Sequence, residues 1–411
     1  MGASVAISGN NHTYSGRYNR RLVFDLIRQK SEVRRGDLVD LTGLQPQTIS
    51  NITRDLIDRG LITETSLAAG GRGAPQKLLT LADGAGCSIG FHLDRDRLSG
   101  VLCDLRGREV IRIDNASPWI DPDKTVTLMS SVARELSERC EGTPCWGIGV
   151  AMPTLQEADF EHYVGSPGWQ NWGTFELADA LERTSGQPVI IENDATSAAI
   201  AELRSPRDVD LTHFVYVFIG HGLGAGIIID GLPFQGAFNN AGEIGLLNWP
   251  SELQPRAGLA ATPFSLEELA QTMNCEVQLL EADGALDRLY QKRDTALMQW
   301  LELNAKRLRV LVSIIENLFD PQTVIVGGTV SPTILGSLVD RTYPLMSSVS
   351  ARRKREIPRL LTSTLGPSAS AVGAAMLPVI AHGSPDFRRL SLMRGRETPI
   401  DPETQFDRVA G

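Results

Sequence analysis

Gly220-His221-Gly222-Leu223-Gly224-Ala225-Gly226 places a glycine at every second position, directly after the apolar run Phe214–Ile219 and directly before Ile227-Ile228-Ile229. A tight turn joining two strands is its simplest reading. Outward from it, short apolar runs alternate with helical periodicities, which is the α/β pattern. Strands are expected at Cys87–Leu93, Leu98–Asp104, Trp146–Ala151, Val189–Ile191, Phe214–Ile219, Gly226–Ile229 and Thr323–Val326. Helices are expected at Thr125–Glu138, Phe175–Glu182, Ala195–Leu203, Ser265–Met273 and Thr295–Leu318. No short-period repeat is visible.

At 411 residues the chain is too long for one compact core, so two or three domains are expected. With 42% hydrophobic and 22% charged residues it has the make-up of a soluble globular protein. No apolar run of about 18 residues and no leader pattern is present, so a cytoplasmic protein away from the membrane is expected. Cys87, Cys103, Cys140, Cys145 and Cys275 are scattered without a CxxC pair, and buried free thiols are expected. The net charge of −9 is unevenly spread. Residues 1–82 hold 11 Lys+Arg against 7 Asp+Glu, a balance of +4 that leaves −13 for the rest. A basic head on an acidic body suits a polyanionic partner at one end.

The head itself has a pattern. Residues 1–16 lack periodicity and read as a flexible arm. Leu22, Val23, Leu26 and Ile27 then line one face of a helix, Leu38–Leu41 form a second short one ending at Thr42-Gly43, and a third runs through Thr48, Ile49, Ile52, Leu56 and Ile57 to Gly60. Two strands, Leu61–Thr65 and Lys77–Leu81, follow across the glycine-rich Gly70–Gln76. This reads as a winged helix-turn-helix over residues 17–83, for which double-stranded operator DNA is the expected partner. Gln45, Gln47, Thr48, Ser50, Asn51 and Arg54 fall on or near the N-terminal half of the third helix, where amide side chains pair with adenine and Arg with guanine or phosphate. Arg72 at the wing tip is either a minor-groove contact or a solvated loop charge.

Three stretches of the body together resemble the ROK (repressor, ORF, kinase) family. They are Ser166-Pro167-Gly168-Trp169 through Pro188-Val189-Ile190-Ile191-Glu192-Asn193-Asp194-Ala195, the glycine loop, and Asn240-Ala241-Gly242-Glu243-Ile244-Gly245. The resemblance runs over nearly the whole chain, winged head included. It implies an actin-like, two-lobed ATPase scaffold of the sugar-kinase kind over residues 84–383, with a lobe boundary near 205, a ligand cleft between the lobes and a tail at 384–411.

The same resemblance exposes departures. Anchored on Gly90, Asp104 and Gly107, the family's phosphate turn of Asp, two glycines and Thr corresponds to His92, Asp94, Arg95 and Asp96. Carboxylates there repel a polyphosphate and side chains block close backbone approach. The glycine loop has His221 where the family has Thr, and Gly327-Gly328-Thr329 resembles the adenosine-side loop with its third glycine changed. ATP binding is therefore not expected unless Arg95 or Arg97 compensates. Asp194 matches the family's general base, and without a phosphate donor it has no reaction to assist. The family's sugar-site His is Leu246, and Leu247–Thr262, in place of the family's Cys-rich zinc segment, holds no cysteine, so no zinc and no other cofactor is expected.

For the sugar site the resemblance implies Asn193, Asp194, Glu243 and, less directly, Glu267, because carboxylates and amides suit vicinal hydroxyls. Their alternatives are a helix cap for Asn193 or Asp194 and a helix-start charge for Glu267. Glu192 reads as scaffold, Thr154 as a further family position, and Leu246, Trp169, Trp172 and Trp249 as pocket walls or core. The expected function is a transcriptional regulator, read as a repressor without kinase activity, answering a carbohydrate-like effector as a homodimer or homotetramer. The alternatives are a sugar kinase with an added DNA-binding domain, and a constitutive DNA-binding protein whose body only dimerises.

Overall fold

A computed structural model describes residues 12–385, apart from 31, 68–75, 96, 141, 154–171, 173–175, 206, 208, 255–261, 282, 283 and 353. The expected wing tip with Arg72, most of the arm, the tail beyond 385, Thr154, Trp169 and Asp96 lie outside the described residues.

The head is built from α1 (His12–Gln29), α2 (Arg35–Thr42), α3 (Pro46–Asp58) and the antiparallel pair β1 (Ile62–Leu67) and β2 (Gln76–Leu81). Helix α1 starts inside the segment expected to be an arm. Once its later turns are anchored on the core by Val23, Phe24 and Ile27, each further residue adds a backbone bond at little entropic cost. Helix α2 stops where expected, with Gly43 left-handed at φ 67° and its N–H bonded to Val39 O. After α3 the Leu61 N–H returns to Leu56 O, so the chain leaves directly into β1. Glu64 on β1 ties this wing pair to α2 by pairing with Arg35, and to β2 through Lys77 at 2.6 Å.

The body contains two five-stranded sheets of the same topology. The first joins β3 (Cys87–Leu93), β4 (Arg97–Asp104), β5 (Glu109–Ala116), β6 (Cys145–Met152) and β7 (Val189–Asn193) in the order β5-β4-β3-β6-β7. Its helices are α4 (Pro122–Glu138), α5 (Leu177–Ser185) and α6 (Asp194–Arg204). The second joins β8 (Phe214–Ile219), β9 (Leu223–Ile229), β10 (Leu232–Pro233), β11 (Thr323–Gly328) and β12 (Leu360–Thr362) as β10-β9-β8-β11-β12. With it go α7 (Leu266–Met273), α8 (Gln278–Glu281), α9 (Ala285–Gln291), α10 (Thr295–Phe319), α11 (Pro332–Thr342) and α12 (Ala369–Gly383). In each sheet the first three strands are an antiparallel meander and the last two join in parallel. This internal duplication is the two-lobed arrangement, and it leaves no short repeat in the sequence.

Helices α6 and α12 are sandwiched between the lobes, and glycines set how close they come. A Cβ on Gly149 of β6 would lie 1.8 Å from Ala374 O, and one on Gly90 of β3 would lie 2.0 Å from Ala371 O. On the other side, a Cβ on Gly226 of β9 would meet Ala195 O at 2.4 Å, and one on Gly373 would meet Ser197 O at 1.7 Å. The glycine-rich segment therefore divides in two. Gly220–Gly222 makes the turn, whereas Gly224 and Gly226 lie within β9, which begins three residues earlier than expected because its glycines face the Ala-rich α6.

One hydrophobic cluster runs without a break from the head into the first lobe, joining Phe24, Ile27 and Leu56 to Trp146, Ile200 and Leu377. Phe24 stacks on Trp146 with ring centroids 5.4 Å apart. Three of the five scattered cysteines also converge: Cys87 and Cys145 pair in register on neighbouring strands, and Cys140 lies in the same cluster. Cys145 and Cys275 are only partly buried, unlike the expectation for all five.

Gly149→Ala is expected to destabilise the fold by more than about 3 kcal/mol in urea unfolding, because the sheet and α12 must separate to admit a methyl group. Gly336→Ala in α11, where a Cβ meets nothing within 4 Å, is expected instead to stabilise by up to about 1 kcal/mol.

Candidate functional site

Strand β7 ends and α6 begins at Asn193-Asp194, in the cleft between the lobes. The Asn193 Oδ1 accepts from Ala195 N at 2.9 Å and from Thr196 N at 3.3 Å, so this side chain caps the helix. Asp194 also turns one oxygen, Oδ1, to Ala195 N at 2.7 Å. Its backbone oxygen accepts from Ser370 Oγ of α12 at 3.0 Å. Glu192, one residue before, accepts from Asn193 N and from Gln235 Nε2 at 3.2 Å, which makes it the scaffold residue it was expected to be.

Glu243 reaches the same cleft from the second lobe. Gly242 carries it there: at φ 100° its carbonyl accepts from Ala225 N of β9 at 2.8 Å, and a Cβ on it would strike Ala225 O. Asp94 approaches from between β3 and β4, where its N–H donates to Arg97 O at 2.9 Å. Burial pushes the Asp194 carboxyl up to about 7, with the charges of Asp94 and Glu243 adding to the rise. Although part of Asp194 still touches solvent, protein atoms crowd it from most sides. Burial alone carries Glu243 to about 7 as well. Asp94, Asp194 and Glu243 are thus an acidic trio, in which Asp194 and Glu243 are both raised to about 7.

Glu267 is not among the charges that shift Asp194. It stands in the first turn of α7 and pairs with Arg95 at 3.3 Å, a bridge from one lobe to the other at the rim of the cleft. Trp172 and Trp249 are core residues. The first donates to Trp119 O at 2.8 Å, and the second packs on Phe264 with centroids 5.9 Å apart. Leu246 is 66% exposed and lines no core.

The glycine loop is closed upon itself, since Gly220 N donates to Gly222 O at 3.0 Å and Gly220 O accepts from Leu266 N at 3.3 Å. His221 is buried behind it. Asp94 fills the turn opposite, its Oδ1 accepting from Arg95 N at 2.8 Å. At this junction a phosphate chain would meet the Asp94 carboxylate and a loop whose Gly220 amide is already bonded.

In the head, Gln47, Asn51 and Arg54 are exposed at spacings of four and three, on one face of α3, and Gln47 Nε2 bonds Asn51 Oδ1 at 3.1 Å. Gln45 is exposed at the N-cap, and Thr48 is half-buried beside it. Ser50 is turned toward the crevice against α2, its hydroxyl donating to Pro46 O at 2.9 Å.

The ROK family profile matches residues 121–379. The chain belongs to the ROK family. The xylose repressor of Bacillus subtilis (strain 168) is 25% identical over 386 residues, covering 90% of this chain and 97% of that protein. Two crystal structures share the fold. One is described as a ROK family transcriptional regulator, homolog of the E. coli MLC protein, with a TM-score of 0.61 at 22% identity over 92% of this chain and 99% of that one. The other is a ROK family glucokinase from Streptomyces griseus in complex with glucose and AMPPNP, with a TM-score of 0.56 at 23% identity over 71% of this chain and 99% of that one. The regulator's 92% is too large a share to leave out the head of this ROK chain.

Sequence reasoning assigned Asp94 only to a spoiled phosphate turn. Its place beside Asp194 follows from the pairing of β3 with β6, and of β6 with β7, which sets the ends of β3 and β7 at the same edge. The Arg95–Glu267 bridge joins residues 172 apart and left no local signal.

Asp194 releases its proton near 7 in the fold against an ordinary value of 3.8. Between those values the folded state binds more protons than the unfolded one, so this group's contribution favours folding at low pH and is lost as pH rises toward 7. Asp194→Asn should therefore melt about 2–4 °C above the wild type in a stability scan on the alkaline side, with the gap closing toward about pH 4.

Proposed function

We propose that this ROK protein is a DNA-binding transcriptional regulator, acting as a repressor, whose operator affinity is set by a carbohydrate or sugar-derivative effector held by Asn193, Asp194 and Glu243 with Glu267 at the rim. It works in the cytoplasm as a symmetric homo-oligomer, so that two heads meet two half-sites. In support of a soluble setting, no helix among the described residues is long and apolar enough to cross a membrane. The protein carries out no phosphoryl transfer, because its glycine loop is closed and Asp94 stands where the phosphates would have to pass.

One observation carries the reading: α6 reaches from the cleft to the head. Its first residue is Asp194, and its last, Arg204, lies about 15 Å further on. Burial raises the Asp25 carboxyl of α1, but Arg28 and then Arg204 outweigh it and hold the carboxyl below its usual value. Arg28 is fully buried, bonding Asp25 Oδ1 at 2.6 Å and the body's Leu105 O at 3.2 Å. A charge with such partners leaves them only at a large cost, so a shift of α6 has to be followed by α1 or resisted by it. An effector that binds one lobe arrangement more tightly than the other therefore changes how the heads are presented.

Sugars and sugar phosphates screened by thermal shift, with and without Mg-ATP, should give a stabilising compound that does not need ATP and no longer acts on Asp194→Ala. That compound should change operator affinity. Sugar-dependent consumption of ATP, lost in Asp194→Asn, would instead establish a kinase. On the DNA side, Gln47→Ala and Asn51→Ala are each expected to lower specific operator affinity by about 1–3 kcal/mol while leaving binding to unrelated DNA unchanged. Equal losses on both DNAs would remove these residues from base reading.

A further inference from the structure

Cys87, Cys140 and Cys145 converge at the edge of the first sheet that lies away from the cleft. Cys87 is the first residue of β3 and Cys145 the first of β6, two parallel strands whose far ends point to Asp94 and Asp194. We propose that Cys145 and Cys87 are a redox modification site, at which hydrogen peroxide converts the two thiols into a disulfide joining β6 to β3.

The register of the sheet supplies the geometry. Cys87 and Cys145 are paired residues on neighbouring strands. Strands run about 4.7–4.9 Å apart, inside the Cα separation of about 4.4–6.8 Å that a disulfide spans. Both side chains enter the cluster that also holds Cys140, which sits on a turn closed by Thr143 N donating to Cys140 O at 2.8 Å. The bond can therefore close without the strands parting.

Reactivity is divided between the two sulfurs. Cys145 follows the exposed Pro144 and is only partly buried, although protein atoms crowd its sulfur, whereas Cys87 is 6% exposed. The Cys87 thiol lowers Cys145 from its ordinary value against the opposing effect of burial, and lowers Cys140 in the same way. Cys140 and Cys145, and then burial, push Cys87 up. A lowered thiol within reach of solvent attacks, and a raised one beside it resolves. The Cys145 thiolate attacks one peroxide oxygen: an S–O bond forms, the O–O bond breaks, and the departing hydroxide takes up the proton that the thiol lost. The Cys87 sulfur then attacks the sulfenic acid: the S–S bond forms, the S–O bond breaks, and the hydroxyl leaves as water with the Cys87 proton. Two thiols have lost two electrons, and one peroxide has become two waters.

The other two cysteines lack these conditions, and neither lies in this cluster. Cys103 is fully buried and pushed up by that burial, and Cys275, though partly exposed, is raised by burial and by the charge of Glu276. Place gives the bond its interest. Trp146, next in the chain to Cys145, donates to Ala85 O at 3.3 Å, two residues before Cys87, and stacks on Phe24 of the head. The disulfide thus ties together the two strands that seat the head.

For the test, the full-length reduced protein is exposed to hydrogen peroxide, digested with trypsin without reductant and read by mass spectrometry. The expected product joins fragment 78–95, whose one cysteine is Cys87, to fragment 140–183, and further fragmentation places the bond on Cys145. Dithiothreitol should restore both thiols. The pair should be oxidised at least about tenfold faster than Cys103 or Cys275. Dimedone present during oxidation should label Cys145 and suppress the bond. Cys145→Ser, its folding checked by melting temperature, should leave Cys87 reduced, and the dimedone result decides the matter if that variant does not fold. Three results would each overturn the proposal: a wild-type disulfide that uses Cys140 or no disulfide at all, oxidation of Cys103 or Cys275 ahead of the pair, or dimedone carried by Cys87 or Cys140 in place of Cys145.

Discussion

The close approach of α6 and α12 between two sheets is the constraint on which the rest of the protein depends. Gly90 and Gly149 bring the first sheet against α12, Gly226 brings the second against α6, and Gly373 brings the two helices together. At such separations backbones touch, and small displacements are not absorbed by side chains that re-adjust. The N-terminus of α6 carries Asp194 into the cleft, and the C-terminal end of α12 presses Gly383 against Phe24 of the head. The cleft and the DNA-reading element are therefore two ends of one tightly packed waist.

This changes what the glycines at 220–226 mean. In a phosphate-binding scaffold such a loop leaves its amides free. Here Gly220 bonds within the loop, and Gly224 and Gly226 serve the packing of α6. The acidic trio extends the same logic. A site in which Asp194 and Glu243 are both raised to about 7 is poorly suited to anions and well suited to hydroxyl groups, which accept from a protonated carboxyl and donate to an ionised one.

Most of the fold was legible wherever one face of an element meets solvent. The strand at Phe214–Ile219, the helix at Thr295–Phe319 and the stop at Gly43 follow from periodicity and capping. Helix α12 was not legible, because all fifteen of its residues are buried and mostly small, so it has no polar face to set a period. Strand β5 was missed for the opposite reason: Glu109, Val110, Asp114 and Ala116 are exposed along an edge, and its polar sequence has no apolar run. At the site, Asn193, Asp194 and Glu243 could be named from sequence because each sits in a short recognisable segment. Asp94 as their neighbour and Arg204 beside Asp25 depend on contacts between distant segments, which no local pattern encodes.

The central claim is that cleft and head exchange free energy through the waist. Its most direct measurement is a reciprocal titration: operator affinity with and without saturating effector, and effector affinity with and without saturating operator. The account predicts the same factor in both directions, of about 5- to 150-fold, because coupling through one equilibrium is symmetric. A factor of one in both directions, with effector and operator each binding normally, would contradict it.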